Sequence, residues 1–406
     1  MRGVKRRGTL KCIALLCTII FLISVTGCGS TDSTSQESAP VKIGLLVPYT
    51  GVFASNGYDI TNGMELYFDE VGWQAGGRKI ELIKEDSEMN GQIGLQKVRR
   101  LVEGDKIDIL AGVVSSTVAY AIRDYVVGNK IPFIISNAGA TDLTREKRSK
   151  YIFRASFFNG QFEYPMGTYV YEQMGIKKVV VMAPDYAAGH EKATGFMDGF
   201  KAAGGEVIQE IYPPLGTTDF GPYLTQLKDA DAVWAHFSGT DSIRYVKQYS
   251  EYRINDRMPL LSSGDLVDES SLIYQLDSAL GIVSSLHYSA ALKTPENEEF
   301  VKKFKAKYNE SPDMFSVQGY DTARVIVEAL NKTGGDTSDT EKLLDSIRSV
   351  KFQSPRGPFR FDPVSQNVIF NTYIRKVEKV DGVLVNSVLY TIPNVSDYVK
   401  LDTPVK

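Results

Sequence analysis

The chain has three cysteines in 406 residues, Cys12, Cys17 and Cys28, and none follows them. The long remainder cannot close a disulfide on itself, so its stability must come from packing. Long apolar runs are equally scarce. The run at 12–25 has 14 residues, and no later one reaches the about 18 that suggest a membrane helix. Histidine occurs three times, at His190, His236 and His287, with no HExxH or similar ligand spacing. By spacing alone these are scattered surface or lobe-edge residues, and no metal site is expected. A GxSxG elbow, a P-loop and a GxGxxG behind a strand are all missing, so neither enzyme activity nor a cofactor is expected. Positive charge is short as well. Setting aside Arg2, Lys5, Arg6, Arg7 and Lys11 leaves 41 Lys+Arg against 49 Asp+Glu, a net charge near −8. That balance argues against nucleic acid or an anionic membrane surface as partner.

What is present begins with that basic start and short apolar run, the flanks and length of a secretory signal over residues 1–27. It ends in VTGC (25–28), which looks like a bacterial lipobox, with Cys28 as the lipidated new N-terminus. Residues 28–40 are Ser/Thr-rich without periodicity, as a flexible tether should be. Acyl chains hold by roughly 0.8 kcal/mol per buried CH₂, so an acylated Cys28 would be the chain's membrane contact. The expected location is outside the cytoplasm, on the bacterial cell membrane.

From residue 28 on there are 379 residues, more than one core usually serves, so two lobes are expected. The most informative stretch is IDILAGVVSST (107–117) and IPFIISNAGATDLT (131–144), joined by a segment with Val118, Ile122 and Val126 at helical spacing. Two short β-branched runs read as buried parallel strands. Each runs directly into small hydroxyl, amide and glycine residues, where ligands bind at the carboxyl ends of open α/β sheets. A strand at 41–48 and alternating strand and helix signals up to 154 complete a doubly wound sheet. The same grammar restarts with VVVMA (179–183) and continues to about 263. Helices at 297–308, 316–331 and 340–350 have no strands between them and suit a return onto the first lobe. The tail is β-rich, with Asp381-Gly382 as a hairpin turn. The fold class is thus α/β, two doubly wound Rossmann-like lobes. Lobe 1 is expected at 41–155 and 285–360, lobe 2 at 156–284 and 361–395, and a tail at 396–406, with a three-segment hinge near 155, 284 and 361.

In this order, the segments IGLLVPYTG (43–51), DILAGVVSS (108–116), 131–144, YIFR (151–154), PDYAAG (184–189), QGYDTA (318–323) and GPFRFD (357–362) resemble the Leu/Ile/Val-binding protein family, the type I periplasmic solute-binding proteins of ABC importers. The resemblance spans about 41–395. It implies two lobes closing on a ligand in the cleft, with ABC permease subunits as partners and a monomer as the working form. It places the carboxylate-binding hydroxyl on Ser115 or Ser116, with Ser116 favoured. A second ligand loop falls on Ala138, Gly139, Ala140 and Thr141, where a carbonyl would hold an amine and an N–H and a hydroxyl the carboxylate. The aromatic packing from lobe 2 falls on Tyr186, and the acid that pairs with an amine falls near Asp265. Asn56 stands where many members have an aromatic, with Phe53 and Tyr58 nearby. The leading ligand is a branched-chain or other hydrophobic amino acid. Residues 136–144 with 184–189 also resemble the branch that binds aromatic carboxylates of the benzoate and hydroxycinnamate kind. A ligand-sensing receptor ectodomain is the alternative of another class.

Overall fold

The computed structural model describes residues 38–401. The expected signal, Cys28, most of the tether and the last five residues of the tail lie outside the described residues.

The first sheet grows from β1 (Val41–Val47), whose VKIGLLV run is buried on both faces. It is followed by α1 (Ala54–Glu70), a short β2 (Gln74–Ala75), β3 (Arg78–Asp86), α2 (Gly91–Arg99), β4 (Ile109–Gly112), α3 (Ser116–Gly128), β5 (Phe133–Ile135) and β6 (Ile152–Arg154). Strand order is β2-β3-β1-β4-β5-β6, parallel except for β2 against β3. The order reverses between β1 and β4, which opens a crevice at their carboxyl ends.

The second sheet starts after α4 (Glu163–Glu172). It takes in β7 (Lys178–Met182), α5 (Ala187–Ala203), β8 (Glu206–Ile211), α6 (Gly221–Leu224), β9 (Ala232–Ala235), α7 (Thr240–Glu251), β10 (Leu260–Ser263), α8 (Glu269–Gln275) and β11 (Val283–Leu286). Here β8-β7-β9-β10-β11 run parallel, with their own reversal between β7 and β9.

Then come α9 (Pro295–Tyr308), α10 (Met314–Thr333) and α11 (Thr340–Arg348), without strands between them. Of these, α10 packs on α1 of the first sheet. That contact is as close as helices can come. A Cβ on Gly63 would lie 1.9 Å from the Ser316 carbonyl oxygen, and one on Gly319 would lie 2.0 Å from that of Ile60. The chain ends in antiparallel β12 (Lys351–Ser354), β13 (Gly357–Phe361), β14 (Val368–Val380) and β15 (Val383–Val395), which extend the second sheet through β14. The β14–β15 hairpin turns at Asp381-Gly382, both at positive φ (51° and 82°), as a tight primed turn requires.

Buried charges stitch the crossings between the two sheets. Arg356 donates to Asp321 at 2.6 Å and to the Ser156 carbonyl at 3.1 Å, and also bonds the Ala155 carbonyl. Arg154 holds the loop after β5 through the Ala140 carbonyl and the Thr144 hydroxyl (3.1 Å).

Candidate functional site

One narrow cavity, about 310 Å³ counted out to its mouth, is lined from the carboxyl ends of both sheets. The β4 end shapes one wall. Val113, a β-branched residue at φ 66°, is locked by its N–H to the Leu46 carbonyl (2.6 Å) and its carbonyl to the Ala138 N–H (2.9 Å). Strain of this kind persists only where surrounding bonds hold it. The turn separates the two serines. Ser115 is the N-cap of α3, its hydroxyl accepting from the Val118 N–H at 3.4 Å. Ser116 opens the helix and lines the cavity beside Val114. Its oxygen accepts from Asn159 Nδ2 at 3.1 Å, which leaves its own proton to offer. The first-turn N–H groups and the positive end of the α3 dipole lie at the same place.

The β5 loop supplies Asn137 and Gly139 to the cavity, whereas Ala138, Ala140 and Thr141 do not line it. The carbonyls of Gly139, Ala140 and Thr141 already accept from the Asn159 N–H (2.7 Å), Arg154 and the Thr144 hydroxyl (3.4 Å). The Thr141 N–H and hydroxyl bind a protein carboxylate, Glu191 of α5, at 2.8 and 2.7 Å. Asn137 continues inward through Gln318 (2.8 Å) to His287 (2.7 Å), a buried polar chain.

Across the cleft, Tyr186 sits at the start of α5, half-buried, its ring 6.4 Å from that of Phe53. Phe53, Phe157, Phe315 and Tyr186 give the cavity its aromatic walls. Asn56 lines it too and donates to the Ser238 hydroxyl at 3.4 Å, whereas the Tyr58 ring is exposed and packs 5.1 Å from Tyr49. So Ser116, Gly139, Tyr186, Phe53, Asn56 and Asp265 of the expected set converge on one space.

Of the charged end of the cavity, sequence reasoning named Asp265 and missed Lys192 and Glu163. Lys192 of α5, its side chain 3% exposed, donates to Glu163 at 2.8 Å and to Asp265 at 3.0 Å. Its ammonium lies 4.4 Å from the centres of both the Phe157 and Phe162 rings. The Ser263 hydroxyl bonds Asp265 (2.5 Å) and Glu163 (3.1 Å). Burial pushes Asp265 up, but Lys192, His236 and Ser263 outweigh it and hold the carboxyl down at about 2. Glu163, deeper still, ends above its ordinary value because burial and Asp265 outweigh Lys192. Lys192 is raised, its two carboxylates overcoming burial. Lys192 and Asp265 therefore form a closed ion pair, with Glu163 the more easily protonated member.

The histidine expectation needs correction. His190 is exposed, but His236 and His287 are 1% and 0% exposed. His236 follows buried β9 and His287 follows buried β11, and each enters the interior with its strand. The sequence signal for the missed charges is position. Lys192 shares a helix face with Ala188, Gly189 and Phe196, and Glu163 with Met166, Gly167 and Val170. A charge on an apolar stripe points inward.

With this geometry in hand, relatives identify the scaffold. A family model described as periplasmic binding protein matches residues 40–382. The chain belongs to that periplasmic binding protein family. Membership places its work outside the cytoplasm. An ABC transporter substrate-binding protein from Sphaerobacter thermophilus is 41% identical, with a TM-score of 0.84 over 88% of this chain and 99% of that one. A solute-binding protein of an ABC transporter from Rhodopseudomonas palustris BisB5, in complex with 3,4-dihydroxybenzoic acid, is 35% identical, with a TM-score of 0.85 over 88% and 99%. Leu/Ile/Val-binding protein homolog 6 of Brucella melitensis is 29% identical over 91% of this chain and 95% of its own length. Among the described residues no helix is long and apolar enough to cross a membrane.

Proposed function

We propose that this binding protein captures an aromatic carboxylate and delivers it to an ABC importer, tethered to the membrane through lipid on Cys28 and working as a monomer. The carboxylate would meet the Ser116 hydroxyl, the Gly139 loop and the first turn of α3, and the ring would lie between Phe53, Phe157, Phe315 and Tyr186. Closure would bend the crossings near 155, 284 and 361. The observation that carries the ligand class is the Lys192–Asp265 pair at 3.0 Å. An amino-acid ligand needs negative charge for its ammonium, and here the Asp265 charge is already answered by Lys192, which bonds its Oδ2. A second ammonium beside Lys192 would face like charge in a poorly hydrated space. A ring carries no such charge. The Rhodopseudomonas relative, with 3,4-dihydroxybenzoic acid bound, supports the same reading.

A hydrophobic amino acid is the second reading, because Glu163 and Asp265 together outnumber Lys192. A thermal-shift panel separates the two. Benzoate, hydroxybenzoates and hydroxycinnamates should raise the melting temperature, since a ligand at 100 times its Kd adds about 2.7 kcal/mol. Leucine, isoleucine and phenylalanine should leave it unmoved. Stabilisation by the amino acids alone would overturn the aromatic reading.

A further inference from the structure

His236 is buried on the cavity wall without a hydrogen bond to its ring: it is 1% exposed, and neither ring nitrogen has a hydrogen-bond partner among the described residues. The Asp265 carboxylate stands 3.8 Å from Nδ1, beyond hydrogen-bond range. Its main chain is fixed, the N–H bonding the Met182 carbonyl at 3.0 Å, so the ring is delivered to the cavity wall by β9. Buried polar side chains are nearly always paired, and one that lines a ligand cavity unpaired is awaiting a partner from outside.

The chemistry of the ring restricts that partner. Burial, with Lys192 adding to it and Asp265 opposing, brings the imidazole down to about 3. Near neutral pH it therefore carries one N–H and one bare nitrogen. A carboxylate could use only the donor, and an apolar ring edge could use neither. A hydroxyl, which donates and accepts, suits either tautomer. Ser116 and the α3 N-terminus, the anion-seeking features, lie on the wall from the first sheet, whereas His236 lies on the wall from the second.

We infer that His236 reads a hydroxyl on the ring of the bound acid, so that the protein selects ring-hydroxylated benzoates over benzoate itself. The inference rests on the aromatic-carboxylate reading and sharpens it. It makes His236 a specificity residue. The Lys192–Asp265 pair beside it keeps that end of the cavity polar without supplying a free charge.

Calorimetric titration of benzoate and of 2-, 3- and 4-hydroxybenzoate tests it, in the natural protein and in His236→Leu and His236→Gln. In the natural protein at least one hydroxybenzoate should bind roughly tenfold or more tighter than benzoate, the yield of one hydrogen bond in a dry site. His236→Leu should collapse that ratio to near one. His236→Gln, which keeps a donor and an acceptor, should retain part of the preference. A second readout needs no variant: the imidazole ¹⁵N resonances should shift with the preferred hydroxybenzoate and stay in place with benzoate. Equal binding of benzoate and all three hydroxybenzoates, or a preference that survives His236→Leu, would overturn the role of His236 while leaving aromatic-acid binding intact. Failure of every aromatic acid to bind the natural protein would overturn both.

Discussion

Glu191 offers the sharpest test of how the cleft closes. Its carboxylate projects from α5 and receives four hydrogen bonds, three from Thr141 and Tyr120 on the other side of the cleft and one from Asn159, just past the first crossing. The donors are the Thr141 N–H (2.8 Å), the Thr141 hydroxyl (2.7 Å), Asn159 Nδ2 (2.9 Å) and the Tyr120 hydroxyl (2.8 Å). The same Asn159 amide reaches the Ser116 hydroxyl on the cavity wall, so latch and ligand site share a side chain. When the lobes part, water replaces these bonds, and each is then worth only about 0.5–1 kcal/mol net at this half-buried edge. Together the three that span the cleft favour the closed state by about 1.5–3 kcal/mol. Ligand affinity carries whatever part of that sum the unliganded protein has not already gained by closing alone. Glu191→Ala should therefore weaken binding by about tenfold to a hundredfold. Glu191→Gln, which keeps the shape and one acceptor, should lose less. Because the ligand enters an open cleft, stopped-flow measurements should place most of the loss in the off-rate. Small-angle scattering of the unliganded variant should give a radius of gyration no smaller than that of the natural protein, and a larger one if the latch holds it shut. An unchanged Kd, off-rate and radius of gyration in Glu191→Ala would refute the latch.

Lys192→Met strands Glu163 and Asp265, at 0% and 6% side-chain exposure, without their cation. Stranded buried charges cost about 3–5 kcal/mol, to be read as a lower urea midpoint. The exposed Lys84–Glu65 pair is the control, since Lys84→Met should cost under about 1 kcal/mol. His236 supplies a pH test. Its folded value of about 3 lies below the 6.5 of an unfolded histidine. Below pH 6.5 the unfolded chain takes up the proton first, so stability falls as pH drops through the window from 6.5 to 3. At pH 4.5 this amounts to about 2–3 kcal/mol. Glu163, Asp59 and Asp268, all raised, act in the opposite direction, but in His236→Gln as well as in the natural protein. The stability difference between the two should therefore shift by about that amount against the natural protein between pH 7 and 4.5, and a constant difference would count against a neutral buried ring.

Legibility from sequence followed the range of the interaction. The strands β1, β4 and β5 declare themselves as apolar runs, and the β14–β15 hairpin as Asp381-Gly382, because each depends on neighbours a few residues away. The serine pair was legible as the entry to α3, and which of the two lines the cavity turns on which one caps the helix. The Lys192 cluster was not legible as a site. It assembles from Glu163, Lys192 and Asp265, on α4, α5 and the turn after β10, and sequence spacing carries no trace of their meeting. Glu191 was hidden for the same reason, and more deeply. Its place on α5 is half-buried and its partners lie 32 to 71 residues away. The adjacent Lys192 at least stands on an apolar stripe.

Under the proposed aromatic reading, the buried cluster also gives a reason for full charges in a cavity that takes an apolar ring. A buried ion pair is weak evidence of stability, since well-packed apolar residues of the same volume often do as well. What Lys192, Asp265 and Glu163 provide is a wall whose charges answer one another, with the ammonium held against two aromatic faces at 4.4 Å. Such a wall accepts a neutral ring, since the ring needs nothing from it. It opposes an incoming ammonium, because the Asp265 charge would have to be shared between two cations that repel each other. Selectivity at this end of the cleft then comes from what the protein has already satisfied, and His236, the one group there left unpaired on both nitrogens among the described residues, is where a ligand can still gain by being polar.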